Sequence, residues 1–238
     1  MESFLALGFL IGMGHALEAD HLAAIGAMAS KRQSPKRLMF LGAAWGLGHT
    51  ITLFLLCSAV IVFGFVLTDR AAATLEFAVG AMLVVLGLGV LRRMHRAKVH
   101  FHVHDHGDNR RHIHAHSHLT ATVPHGEDPH DHAHPKGFPL KALLVGLVHG
   151  AAGSAGLLAL ALATSRDSWI AICYVLAFGI GSLFGMAALT CAVAWPFHRV
   201  QNSATWLHRG LQIGIGCVAI VLGLNVMLET GRAAWGGL

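Results

Sequence analysis

Four ionisable side chains stand close together in the first apolar stretch of this chain. They are His15, Glu18, Asp20 and His21, in the run Gly14-His15-Ala16-Leu17-Glu18-Ala19-Asp20-His21. Imidazole lone pairs beside carboxylate charge form a donor set suited to Ni²⁺, Co²⁺, Zn²⁺ or Cu²⁺. No cysteine or methionine box accompanies them, which disfavours Cu⁺. The all-oxygen set expected for Mg²⁺ or Ca²⁺ is absent as well. The next apolar stretch adds His49, in Gly46-Leu47-Gly48-His49-Thr50. A charged group at the middle of a membrane helix costs about 2.5–3.5 kcal/mol on insertion scales. So dense a polar cluster inside apolar sequence therefore predicts a cation site.

Helical geometry limits how these residues can converge. At about 100° per residue, His15, Glu18 and His21 share a sector of roughly 120°, whereas Asp20 falls nearly opposite Glu18. A regular helix cannot aim His15, Asp20 and His21 at one ion. Either Asp20 serves elsewhere or the helix unwinds; the expectation here is a break near Gly14–Asp20, with freed backbone lining a cavity. The primary metal candidates are His15, Asp20, His21 and His49. Glu18, Glu76 and His149 are secondary candidates, Glu18 and His149 by position alone.

A second histidine group lies between two apolar stretches. His100, His102, His104 and His106 alternate with other residues, as do His112, His114, His116 and His118; His125, His130, His132 and His134 follow. Such composition points to metal binding. In an extended chain, alternate residues share one side. The Gly, Asp, Pro and Asn content predicts a segment without fixed structure in the absence of metal, acting as a reservoir, sensor or buffer.

The elements that must hold the first cluster follow from composition. Hydrophobic residues make up 55% of the 238 and charged residues 12%, against about 25% charged in soluble domains. Mean hydropathy is +0.60. Six stretches are long enough for membrane helices: Phe4–Ser30, Leu38–Leu67, Ala71–Leu91, Leu140–Thr164, Trp169–Phe197 and Trp206–Thr230. The first lacks a preceding basic segment and is expected to be retained rather than cleaved as a signal. Fourteen lysines and arginines fall in or beside the loops after the first, third and fifth stretches, against Arg70, Arg166 and Arg232 elsewhere. The positive-inside rule puts those loops in the cytoplasm and both termini outside. The sequence pI near 9.4 reflects this topology. The basic residues trace no continuous face for nucleic acid. Cys57, Cys173, Cys191 and Cys217 lie singly in apolar runs and read as small buried hydrophobes.

The halves resemble each other. Gly12-x-x-His15 matches Gly146-x-x-His149. Trp45-Gly46-Leu47-Gly48-His49 matches Phe178-Gly179-Ile180-Gly181-Ser182. Glu76-x-x-x-Gly80 with Leu86-Gly87-Leu88 matches Gln212-x-x-x-Gly216 with Leu222-Gly223-Leu224. A unit of three crossings ends on the side opposite its start, so its copy is inserted upside down. The expected fold is all-α: a polytopic bundle of six transmembrane helices as two inverted three-helix repeats. Residues 1–91 form the first repeat, 92–139 the cytoplasmic His-rich loop and 140–238 the second repeat. Ser154 and Ala155 stand where the first half has Asp20 and His21, so the site is asymmetric. Five Gly-x-x-x-Gly spacings, starting at Gly8, Gly42, Gly146, Gly181 and Gly210, predict close helix packing.

His15-x4-Asp20-His21, followed by Leu22-Ala23-Ala24-Ile25, resembles the signature of the nickel/cobalt transporter (NiCoT) family, and Gly48-His49-Thr50 resembles that family's motif in the next helix. The second-half segment Gly146–Ala155 is more similar to the urease-accessory (UreH-like) nickel/cobalt permease branch. The larger family members carry acidic and threonine motifs there and usually have more than six helices. The resemblance implies ligands at His15, Asp20, His21 and His49. It also implies a permease in the cell (inner) membrane that takes up Ni²⁺ or Co²⁺ as substrate by alternating access, without a prosthetic group. Expected partners are the divalent ion, the lipid bilayer and a cytoplasmic metallochaperone. Efflux and zinc transport are the alternatives within transport, and a membrane-embedded metalloenzyme is the alternative of another class. Neither H-E-x-x-H nor a phosphate-binding G-x4-G-K-S/T run is present.

Overall fold

The long helices begin and end where the chain supplies groups suited to helix termini. In α4 (Asp69–Arg96) the Ala71 amide donates to Thr68 Oγ1 at 3.2 Å, and Asp69 adds negative charge to the first turn. In α6 (Ser168–Val200) the Trp169 amide donates to Asp167 Oδ1 at 2.8 Å. Helix α3 (Pro35–Phe63) opens on a proline, whose missing amide needs no partner at that position. It stops at Gly64, whose φ of +67° suits a glycine. These observations come from a computed structural model that describes residues 2–29, 35–65, 67–96, 99–105, 111–117, 138–153, 156–157, 167–200 and 205–236.

The described residues hold seven helices: α1 (Glu2–His15), α2 (Ala19–Ala29), α3, α4, α5 (Leu140–Ala152), α6 and α7 (Thr205–Trp235). Four of them, α3, α4, α6 and α7, are long and apolar enough by themselves to cross a membrane. The first predicted stretch is divided, as its helical wheel requires. Helix α1 ends at His15 and α2 begins at Ala19. The Leu17 and Glu18 amides between them donate back three residues, to the Gly14 and His15 carbonyls. The fourth stretch opens as α5, and most of its continuation lies outside the described residues.

The all-α expectation needs one amendment. Val99–Asp105 and Arg111–Ser117 form two antiparallel strands, β1 and β2. Their register pairs His100 with His116, His102 with His114 and His104 with His112. The alternation that suggested an extended segment is also the pattern of a strand. His106, His118, His125, His130, His132 and His134 lie outside the described residues.

Helix α4 packs along α7, α3 packs along both α6 and α5, and α1 packs along α6. Trp45, Leu83, Met186 and Ile25 are buried in one core cluster, with Leu53, Tyr174 and Phe178 in another. Leu10, Leu55, Val85 and Val221 point outward, each more than half exposed. Apolar side chains on the outside of an apolar bundle suit hydrocarbon as the surrounding medium.

Glycines set the closest approaches. Gly12 backs onto the Phe178 carbonyl and Gly146 onto that of Trp45; Gly48 meets Leu143 and Gly181 meets Phe9. A methyl group on Gly80 would stand 2.7 Å from the Gly223 oxygen, and one on Gly87 2.6 Å from the Gly216 oxygen. Under the half-to-half matches, each of these contacts becomes its counterpart when the halves are exchanged. Four of the five glycine spacings, those starting at Gly8, Gly42, Gly146 and Gly181, lie in such close helix contacts. The fifth differs: among the described residues Gly210 and Gly214 meet nothing within 4 Å and line an apolar groove between α2 and α7 with Leu22 and Ile215.

Candidate metal centre

The break between α1 and α2 brings His21 beside His15, while Asp20 joins His21 and His149 instead. His15 closes α1. Asp20 and His21 open α2, where Asp20 Oδ1 accepts the His21 amide at 2.7 Å. Helix α3 carries His49 inward, with Trp45 one turn before it on the same face. Helix α5 brings His149 from the second half. The imidazole centroids of His21 and His149 are 4.1 Å apart, and those of His15 and His21 are 4.6 Å apart. His49 stands 5.3 Å from both His15 and His21, measured the same way. His21, His49 and His149 are buried.

Two carboxylates orient this ring of imidazoles. Glu18 Oε1 lies 2.6 Å from His15 Nδ1, and Asp20 Oδ1 lies 2.9 Å from His21 Nδ1. The other Asp20 oxygen, Oδ2, is 3.1 Å from His149 Nε2 and so joins the two halves of the chain. The opposite nitrogens, His15 Nε2, His21 Nε2 and His149 Nδ1, have no hydrogen-bond partner among the described residues, and neither ring nitrogen of His49 has one there. A buried polar atom left unsatisfied costs about 1–3 kcal/mol. Carboxylate on one nitrogen and a free lone pair on the other is the usual state of a metal-ligating histidine.

The donor atoms fall into two overlapping groups. Those of His15, His21 and His49 lie within 4.8 Å of one another, as do those of Asp20, His21 and His149. Glu18 stands at the edge, bound to His15 and 56% exposed. Glu76, half-buried on α4, belongs to neither group. The histidines of β1 and β2 are remote in sequence from the cluster and are described by backbone register alone. Ser154 and Ala155 lie outside the described residues. Trp45 was not anticipated as part of the site. Its ring centroid is 5.4 Å from that of His21 and 5.6 Å from that of His149, so it walls the cluster. Its spacing of four residues before His49 was the available signal.

A family model described as NicO, high-affinity nickel-transport protein, matches residues 1–227. The chain is also 30% identical over 230 residues to the urease accessory protein UreH of Bacillus sp. (strain TB-90), a match covering 96% of this chain and 92% of that protein. No solved structure matches.

Proposed function

This chain belongs to the NicO family of high-affinity nickel-transport proteins, and from that premise we propose that it carries Ni²⁺ into the cell through the histidine cluster between its halves. It is a membrane transporter rather than an enzyme. The observation that carries the site is the set of buried, unpartnered ring nitrogens on His15, His21, His49 and His149. Imidazole-rich coordination suits Ni²⁺, and Co²⁺ is the closest competitor for the same donors. The ion sheds water as it enters. Glu18 and Asp20 hold the rings so that nitrogen donors replace that water without reorganisation.

The transport cycle is alternating access by two inverted three-helix repeats. The α1–α2 pair counts as one broken crossing, and α5 begins its counterpart. The exchange symmetry of the glycine contacts supports this reading: the Gly12–Phe178 contact becomes Gly146–Trp45, and Gly80–Gly223 becomes Gly216–Gly87. Both termini face outward and the loop of residues 92–139 faces the cytoplasm, following the distribution of basic residues. There its histidines buffer arriving nickel and pass it to a metallochaperone.

Radioactive nickel flux into proteoliposomes tests the reading. His15→Ala and Asp20→Asn are expected to reduce flux severely while the protein remains folded and inserted. Wild-type flux in both variants would defeat the site. Deleting residues 100–134 is expected to leave translocation intact and to shift its dependence on nickel concentration. Complete loss of flux in a folded, inserted deletion variant would make the loop part of the pathway.

Glu18→Gln keeps the shape of the side chain but removes the charge facing His15. Loss of outer carboxylates typically lowers metal affinity by about 10–100-fold. Because Glu18 is exposed, the low end of that range is expected, read from flux against nickel concentration. An unchanged half-saturation point would mean that Glu18 does not set the orientation of His15.

A further inference from the structure

We infer that the cluster holds its cation in two successive positions that share His21, one made of imidazoles alone and one containing a carboxylate. The inference rests on the transport site proposed above and concerns its internal order. The first position takes His15, His21 and His49; the second takes Asp20, His21 and His149. His21 stands in both groups, but its two nitrogens lie on different edges of one ring. Nε2 is buried without a partner, while Nδ1 is 2.9 Å from Asp20 Oδ1. One ion cannot use both nitrogens.

At the first position the cation meets His21 Nε2, and Asp20 stays on Nδ1 as an outer carboxylate. At the second it inserts among Asp20, His21 Nδ1 and His149 Nε2, in place of the hydrogen bonds that now join them at 2.9 and 3.1 Å. Each ring then carries its proton on its other nitrogen, Nε2 of His21 and Nδ1 of His149, so no net proton is gained or lost. Two divalent cations would repel each other across a single shared ring and would require that ring to lose its proton. The positions are therefore alternatives for one ion. They differ also in origin. All donors of the first come from α1, α2 and α3, whereas the second needs α5 of the other half. An ion moving from first to second replaces the Asp20–His149 hydrogen bond with a coordination link between the halves. Occupancy is thereby coupled to how the halves sit.

The test is the visible absorption of Co²⁺ bound to the full-length protein in detergent. The spectrum of His21→Ala is subtracted as the share of the loop histidines. His49→Ala is expected to leave a core spectrum shifted toward mixed oxygen and nitrogen ligation. His149→Ala and Asp20→Asn are expected to keep the all-imidazole spectrum, Asp20→Asn with a cobalt affinity lowered by about 10–100-fold through loss of its outer carboxylate, yet to lose most nickel flux. Asp20→Asn preserves side-chain shape, so it carries the test should His149→Ala fail to fold. Identical core spectra in His49→Ala and His149→Ala would overturn the two positions. So would wild-type flux in His149→Ala and Asp20→Asn, or loss of core binding in both. A wild-type spectrum equal to that of His21→Ala would overturn the transport site itself.

Discussion

Replacing His49 by leucine is expected to abolish nickel flux and, in the same protein, to raise the melting temperature. His49 is fully buried on α3, and among the described residues neither of its ring nitrogens has a hydrogen-bond partner. Leucine has a similar volume and removes both polar atoms. Relief of buried unsatisfied groups is worth about 1–3 kcal/mol each, so a gain of several degrees is expected in a thermal melt of the detergent-solubilised protein. The loss of flux follows because His49 is the only donor on α3 in either group. Residues kept for function at the expense of stability respond in this opposed way. A variant with lower stability and full flux would show that His49 is a packing residue. Lower stability with no flux would leave its role as a donor unsupported, since misfolding alone would account for both.

The same substitution at two glycines is expected to act with opposite sign. A methyl group on Gly146 would collide with the Trp45 carbonyl and reach 3.0 Å from the His49 amide nitrogen, whereas one on Gly214 meets nothing within 4 Å. Gly146→Ala must push α5 away from α3, and overpacking of this kind costs about 1–3 kcal/mol. Gly214→Ala is expected to gain roughly 0.5–1 kcal/mol, because a helical alanine loses less backbone freedom than a glycine. Melting temperature and the monodisperse fraction after solubilisation check both. Gly146→Ala is further expected to lower flux, since the displaced backbone carries His49. Equal melting temperatures for the two variants would mean that the α3–α5 approach is looser than the contact implies.

Much of this architecture is legible in the chain because lipid imposes simple rules. Long apolar runs become helices, so the stretches from Leu38 and Trp206 find α3 and α7 with ends differing by a few residues. The conflict between Asp20 and His15 on one helical wheel locates the α1–α2 break, because no regular helix satisfies both. Aligning the halves singles out His149, although no local motif marks it as a partner of Asp20. Other features depend on three-dimensional placement. Gly210 and Gly214 have the same spacing as Gly146 and Gly150, and only the position of α7 reveals that their face is open. Glu76 has the right chemistry, yet among the described residues it joins neither donor group. The paired strands around residues 99–117 were hidden by composition, because histidine content spoke for metal while its period of two spoke for β structure.

The bond from Asp20 to His149 also bears on how the protein is made. The two residues are 129 positions apart, so the acidic end of α2 emerges from the ribosome long before its partner. A carboxylate at the centre of a membrane helix costs about 2.5–3.5 kcal/mol, and until α5 is made Asp20 has its neighbour His21 but not His149 to offset that cost. The bond that joins α2 to the second half can form only after α5 has been synthesised.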